Sequence, residues 1–179
     1  MNLKQRFFEM IDKRKILAVL RILVLTAAVI YLIFFFSSRF LGEPEQIKVF
    51  FSTEDAMYLK GENREIEEDR EIYIQIIEEL KAGPVSDSLR PTIPEGVELL
   101  DYEIDEQNIT LNFNRELRDN HWGGSTGELL TVYSIVNSYT YLEDLDSVTI
   151  ILEGQGIETL VGHLDLTKPL VYNQKLVMD

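Results

Sequence analysis

The chain contains no cysteine, and it has only one tryptophan and two histidines among its 179 residues. The absence of cysteine excludes disulfide bonds, thiolate metal ligands and cysteine nucleophiles. It also excludes a lipid anchor attached to an acylated cysteine. The fold must therefore be stabilised by packing and hydrogen bonding alone, and few side chains remain that titrate near neutral pH.

The sequence also lacks the local patterns of common catalytic sites. Gly123-Gly124 has neither the spacing nor the lysine of a phosphate-binding loop. Ser86, Ser88 and Ser125 do not lie in a nucleophile-elbow pattern. We therefore predict no catalytic residue and no enzymatic activity.

The two histidines are the remaining candidates for chemistry. His163 stands two residues before Asp165, and His121 lies far away in the sequence. A metal site would need folding to bring them together with further ligands. We expect His163 to be a hydrogen-bonded turn residue and His121 to face solvent, with no metal site and no cofactor.

A long apolar segment, Ile16–Phe36, is interrupted only by Arg21. As a helix it is about 30 Å long, the thickness of the hydrocarbon core of a bilayer. Arg21 lies near one end, where its side chain can reach the headgroups. The segment is thus predicted to span the membrane, with a cleaved signal peptide as the alternative. Its length and the absence of an Ala-x-Ala exit argue against cleavage.

Charges on either side of this segment predict its orientation. The positive flank is expected to stay inside the cell, which makes the protein a single-pass protein of the cell membrane with its domain outside. The preceding residues carry Lys4, Arg6, Lys13, Arg14 and Lys15 against Glu9 and Asp12, whereas Arg39, Glu43 and Glu45 follow. The predicted organisation is a cytoplasmic N-terminus (1–15), a span (16–36), a linker (37–46), a domain (47–170) and a tail (171–179).

The charge of the outer part is strongly negative. Residues 1–42 have a net charge of +5, and residues 43–179 have a net charge of −19. Such a surface repels nucleic acid and anionic wall polymers, and it attracts cations or a basic partner. We therefore predict no nucleic-acid partner. The acidic run at residues 65–69 is interpreted as the solvated start of a helix rather than as a cation site.

Hydrophobic periodicity predicts an α+β domain in the order β-α-β-β-α-β, with two helices on one face of a small mixed sheet. Asp69 is expected to cap the first helix, and Ser125 and Glu128 to form a capping box at the second. The predicted strands are 47–51, 97–104, 109–113 and 148–152, with a turn at 105–108; the predicted helices are 69–82 and 125–142. Residues 56–63 remain ambiguous.

Residues 115–127 are expected to form a mobile loop that carries Trp122 beside His121. An aromatic side chain on such a loop is a candidate contact with a partner. The alternative is that the Trp122 ring folds back onto the core. Sequence alone does not distinguish these two positions.

A series of short motifs lies in order along residues 47–170. It comprises the strand IKVFF, Tyr58-Leu59, Arg64, Glu79-Leu80-Lys81-Ala82-Gly83-Pro84, Ile93-Pro94-Glu95-Gly96, the strand ITLNFN, the helix segment TVYSIVNSYTYL and the strand Val148–Gly154. In this order the motifs resemble the GerMN domain family, named for sporulation and spore-germination proteins. The resemblance implies that Gly83, Pro84, Pro94, Gly96, Asn137 and Gly154 are structural residues of the family motif.

The resemblance also implies a fold like the ring-building motif and a role in extracytoplasmic assembly, with no known catalytic activity. We therefore predict a non-enzymatic structural or assembly factor of sporulation or spore germination, anchored in the lipid bilayer by residues 16–36. Its partners are expected to be other proteins or further copies of itself, bound through a sheet edge and the Trp122 loop. The alternative is an envelope module that binds a small wall-derived ligand or a protein partner.

Overall fold

The computed structural model describes residues 13–40, 46–67 and 69–178, which fall into two compact units that divide between Pro44 and Glu45. The first unit contains helix α1, Lys13–Phe40. Its stretch Lys15–Ile33 is long and apolar enough to cross a membrane, and its side chains are exposed. The sequence prediction of an apolar helix here is confirmed. Residues 1–12 and 41–45, which include parts of the predicted cytoplasmic terminus and linker, lie outside the described residues.

The second unit is a mixed α+β domain. Its elements in chain order are β1 (Gln46–Thr53), β2 (Leu59–Glu65), α2 (Ile72–Ala82), β3 (Leu89–Arg90), β4 (Leu99–Asp105), β5 (Asn108–Phe113), α3 (Glu116–Asp119), α4 (Ser125–Tyr139), β6 (Ser147–Leu152), β7 (Gln155–Gly156), β8 (Leu170–Val171) and a 3₁₀ turn (Gln174–Leu176). The predicted class and the four predicted strands are confirmed.

The strands are divided between two hydrogen-bonded sheets. Sheet 1 has the order β2-β1-β3, and all of its pairs are antiparallel. Sheet 2 has the order β4-β5-β6-β7, with β8 also paired to β6. It is mixed, because β5 and β6 run parallel while its other pairs are antiparallel.

This division is not evident from the sequence pattern, because the sequence of β2, LKGENRE, has little strand propensity. Its seven aligned pairs with β1 supply a regular hydrogen-bonding ladder that the local sequence does not suggest. As a result β1 pairs with β2 and β3 instead of with the central strands of sheet 2.

Strand β1 is buried on both faces. Ile47, Val49 and Phe51 pack into the main core, which is shared with α2, α4 and sheet 2. Phe50 points to the opposite side and packs in a second cluster with Leu59 and Leu130. Apolar residues at successive positions of β1 are thus explained by two cores, one on each side.

Helix α4 covers the part of β1 that β3 leaves unpaired. The N–H of Phe50 donates to Ser138 Oγ at 3.0 Å, and that hydroxyl donates to the carbonyl of Ser134 at 2.6 Å. One small polar side chain therefore satisfies a strand N–H that would otherwise be buried without a partner. One helical turn from Ser134, Asn137 accepts from the N–H of Asn173 at 2.8 Å and so holds the C-terminal tail.

The start of α2 differs from the prediction. The helix begins at Ile72 after Glu71, without a side-chain cap, so Asp69 does not cap it. Gln75, a polar residue in the first turn of the helix, is buried. Its amide accepts from the N–H of Glu67 at 2.7 Å and donates to the carbonyls of Glu67 and Arg70. A side-chain amide fits here because it can both donate and accept hydrogen bonds. It therefore pairs with main-chain N–H and C=O groups of the loop that precedes the helix.

Gly83 and Pro84 follow Ala82, the last residue of α2, which is where the sequence predicts the helix to end. Gly83 has φ = +85°, a conformation that glycine adopts without strain, and its N–H donates to the carbonyl of Glu79. Its own carbonyl accepts from the Arg64 guanidinium at 3.2 Å. Arg64 also donates to Glu79 Oε2 at 3.0 Å, so the end of α2 is bound to strand β2.

Three further motif residues lie in loops that precede or follow strands of sheet 2. Pro94 is buried, and Gly96, with φ = +82°, accepts through its carbonyl from Asn114 Nδ2 at 2.9 Å. Gly154 has φ = +74° in the turn between β6 and β7, and its N–H donates to Asn112 Oδ1 at 2.8 Å. Gly96 and Gly154 thus occupy turns, and Pro94 is packed in the loop before β4.

Candidate functional site

The loop that precedes α4 is held by the His121 ring. Its Nδ1 accepts from the N–H of Gly123 at 2.9 Å, and its Nε2 lies 3.1 Å from Thr131 Oγ1. Thr131 Oγ1 donates its proton to the carbonyl of Thr92 at 2.8 Å. Because that hydroxyl proton is already used, Nε2 must carry the imidazole proton and donate to Thr131. His121 is therefore the neutral Nε2–H tautomer.

Burial changes the ionisation of His121. Desolvation lowers the pKa of the imidazole below its usual 6.5, against smaller opposing effects of the Gly127 backbone and the Glu128 carboxylate. The sequence prediction that His121 faces solvent is wrong, because the ring is half-buried and hydrogen-bonded through both nitrogens. The predicted mobile loop is likewise corrected, since it contains helix α3 and this bonded segment.

Trp122 projects outward next to this anchor. Its side chain is 61% exposed, and its ring centroid lies 5.8 Å from that of His121. The following Gly123 and Gly124 both have φ = +79°, which allows the chain to turn sharply into α4. Of the two positions considered for Trp122, the structure has the exposed one. The exposed indole of Trp122 is thus attached to a backbone that the neighbouring His121 ring holds in place.

A pocket of 180 Å³ lies beside Trp122, between the end of β1 and the start of α4. Ala56, Leu130 and Pro91 supply apolar lining, and Arg90 pairs with Glu54 at the rim. The pocket and the exposed indole together form an apolar feature with a charged edge. Its volume matches a single side chain rather than a whole small molecule, because ligand sites are usually about 300–1,000 Å³.

The role of Glu128 is not evident from the sequence. Instead of forming a capping box with Ser125, its carboxylate is completely buried and reaches a distant loop. Oε1 accepts from the N–H groups of Leu160 (2.8 Å) and Val161 (3.0 Å), and Oε2 accepts from the N–H of His163 (2.8 Å). No local pattern could reveal these partners, because they lie more than thirty residues away.

The same loop is bound from its other side by Arg118, whose Nε donates to the carbonyl of Leu160 at 3.0 Å. The His163 side chain is exposed, and Asp165 forms a turn by accepting from the Thr167 hydroxyl and N–H. The pKa of the Asp165 carboxyl is lowered, and the hydrogen bond from the Thr167 hydroxyl is the largest cause. Among the described residues, no group of three or more acidic or histidine side chains is arranged to hold a metal ion.

The comparisons with known proteins agree with this architecture. The tandem GerMN domains of the sporulation protein GerM from Bacillus subtilis superpose with a TM-score of 0.58 at 22% identity, covering 75% of this chain and 47% of that one. This chain thus spans about half of the tandem structure. The first GerMN domain of the same protein gives a TM-score of 0.58 at 16% identity, with 73% and 98% coverage.

A putative lipoprotein from Clostridium perfringens matches with a TM-score of 0.52 at 26% identity, covering 73% of this chain and 89% of that one. A search of curated proteins found no significant match. The family model Germane, described as sporulation and spore germination, matches residues 48–158. This range includes the Trp122 loop, the buried Glu128 and most of both sheets. The chain therefore belongs to the Germane family of sporulation and spore-germination domains.

Proposed function

We propose that this protein is a non-enzymatic assembly factor of sporulation or spore germination, tethered to the cell membrane by α1 with its domain outside the cytoplasm. Family membership and the apolar helix support the process and the anchor. The charge asymmetry around residues 16–36 supports the orientation. Tethering raises the local concentration of the domain at the membrane surface and so favours lateral contacts.

The observation that carries this proposal is the geometry of the Trp122 loop. Exposed tryptophans are frequent anchors of protein interfaces, because one rigid ring buries a large area at little entropic cost. The Trp122 backbone is already fixed by the two bonds of His121, so little ordering remains to be done on binding. We infer that a protein partner covers the indole and fills the pocket beside it.

A module for a small envelope ligand is the second candidate. A cavity of 270 Å³ is lined by Phe50, Tyr141, Tyr172 and Lys48, and the Lys48 ammonium lies 4.6 Å from the Tyr141 ring centroid. These groups suit a ligand with an aromatic or anionic part. The cavity is still slightly smaller than the usual range of about 300–1,000 Å³, so it supports ligand binding less strongly than the exposed indole supports a protein contact.

The test is photocrosslinking in living cells with a photoreactive amino acid at position 122, during growth and during sporulation. A photoreactive residue at position 85 is the matched control, because Val85 is an exposed apolar side chain on another loop. Capture of sporulation proteins or of further copies from position 122, and not from position 85, is the expected result. Capture of nothing at either stage, by a protein that fractionates with the membrane, would favour the ligand module instead.

A further inference from the structure

Among the described strands, β4 lies at one end of sheet 2 and pairs with β5 alone. Tyr102 and Ile104 lie opposite Leu111 and Ile109, between the hydrogen-bonded pairs of the hairpin. In an antiparallel ladder the N–H and C=O groups at such positions point away from the neighbouring strand. Within the described part of the chain, no other hydrogen bond uses these main-chain groups. They are therefore available to a further strand.

A groove lies between helix α2 and the first part of β4, up to Tyr102. It has a volume of 420 Å³ and an apolar floor that includes Ile77 and Leu99, and its lining also contains the charged residues Glu78, Lys81, Glu98 and Asp101. Leu100, the extra residue of a bulge at the start of β4, is 47% exposed, and Ile74 on α2 is 38% exposed. The bulge protects only the first part of the edge and leaves residues 101–105 in regular register.

The opposite face of β4 carries three carboxylates. Asp101, Glu103 and Asp105 are all exposed and pair with polar residues of β5. A strand added to this edge would place every second side chain beside these carboxylates and the intervening side chains over the groove. Two copies joined through their own β4 strands would set carboxylate against carboxylate, which is unfavourable.

From these observations we propose that the β4 edge binds an extended segment of another protein, in which basic and apolar residues alternate. The main-chain groups of Tyr102 and Ile104 would pair with the segment, its basic side chains would lie beside Asp101, Glu103 and Asp105, and its apolar side chains would cover Ile74 and Leu100. This is strand addition to an exposed sheet edge, with specificity from the alternating side chains.

The inference rests on the proposed docking function but uses a different surface. The β4 edge belongs to sheet 2, whereas the Trp122 pocket adjoins β1 and β3 of sheet 1. Crosslinking at position 122 and strand binding at β4 can therefore fail independently.

The test uses the full chain in lipid nanodiscs and a seven-residue peptide of alternating lysine and valine. A peptide of alternating glutamate and valine controls for charge. A lysine–valine peptide N-methylated at every residue controls for main-chain hydrogen bonds. We expect the unmethylated lysine–valine peptide to bind at least about ten-fold more tightly than either control. We also expect it to slow hydrogen exchange at the amides of Tyr102 and Ile104.

Two variants locate the binding. Glu103→Lys combined with Asp105→Lys should weaken the lysine–valine peptide about ten-fold and strengthen the glutamate–valine peptide. Leu100→Ser should weaken the lysine–valine peptide without changing the charge preference, and it keeps the test usable if the double variant fails to fold. Glu65→Lys is the control for charge, because it makes the same charge change as each of the two substitutions but on edge strand β2 of the other sheet.

The proposal would be overturned if the N-methylated peptide bound as tightly as the unmethylated lysine–valine peptide, or if the variants bound that peptide with unchanged affinity. Either result would show that the peptide is attracted only by the overall negative charge of the domain. Slow exchange of the β4 amides without peptide, in a chain that dimerises, would overturn it in favour of a second copy as the occupant.

Discussion

The imidazole of His121 positions the Trp122 loop by accepting one hydrogen bond and donating another, which only the neutral ring can do. The residue that supports the candidate contact is thus itself titratable. Since the same loop carries the only tryptophan in the chain, its state can be followed by intrinsic fluorescence without a label.

Acidification should loosen this loop. The pKa of His121 is below 6.5 in the folded protein, so the unfolded or opened loop takes up a proton more readily than the closed one. The stabilisation is complete above pH 6.5 and is lost as the pH falls from 6.5 through the folded pKa. A protonated Nδ1 can no longer accept from Gly123. We expect Trp122 fluorescence to change with a midpoint below pH 6.5.

His121→Gln should abolish this fluorescence transition, whereas His163→Gln should preserve it because the His163 side chain is exposed. A midpoint above 6.5, or a transition that survives in His121→Gln, would contradict the assigned role of the ring.

At the scale of elements, helix α4 is the organising piece of the domain. Ser138 near its end covers the unpaired N–H of β1, Asn137 holds the C-terminal tail, and Glu128 near its start holds the loop at residues 160–163. Polar side chains of this largely buried helix thus bind other segments of the domain to it. Each is satisfied by a main-chain partner, as buried polar groups must be.

Glu128→Gln should lower the free energy of unfolding by about 2 kcal/mol or more, because one of the carboxylate oxygens is replaced by an NH₂ group that cannot accept from a buried N–H. Urea unfolding of the full chain in detergent micelles, followed by Trp122 fluorescence, measures the effect. Glu143→Gln is the matched control, since the Glu143 side chain is exposed. This substitution should change the free energy of unfolding by less than about 0.5 kcal/mol.

Equal unfolding midpoints for the Glu128→Gln and Glu143→Gln variants would show that the Glu128 carboxylate does not hold the loop. A fall in stability of the same size in both variants, relative to the unsubstituted protein, would show that the loss of charge, rather than the loss of an acceptor, is responsible.

At the scale of the whole molecule, charge is segregated along the chain. The basic first 42 residues and the acidic remainder, with net charges of +5 and −19, are consistent with a helix that keeps its positive flank inside. The absence of cysteine makes this orientation directly testable, since any introduced cysteine is the sole thiol.

A single cysteine at the exposed Asp87 should react with a membrane-impermeant maleimide in intact cells. A single cysteine in place of Gln5 should react only after the cells are permeabilised. The reverse labelling pattern would contradict the N-inside orientation. Labelling of both positions in intact cells would indicate that the chain does not remain anchored across the membrane.

Elements with a strong local pattern were predictable. The hairpin of β4 and β5, the strand β6 and the bodies of α2 and α4 follow from alternation or helical spacing of apolar residues. Strand β2 and the burial of Gln75 were not predictable, because both depend on partners distant in the sequence or on a loop conformation. For the candidate site, Trp122 and His121 were identified, whereas the support of His121 by Thr131 was not.

By itself the sequence determined the apolar helix, the acidic domain, the α+β class and the exclusion of thiol chemistry, because these depend on composition and short-range periodicity. Only the tertiary structure decided that Glu128 holds a loop instead of a helix end, that Trp122 points outward and that β4 has a free edge. The physical reason is that the role of a polar side chain or a strand edge depends on the groups that lie next to it in the folded protein. Those groups come from residues that are distant in the sequence, so local patterns do not reveal them.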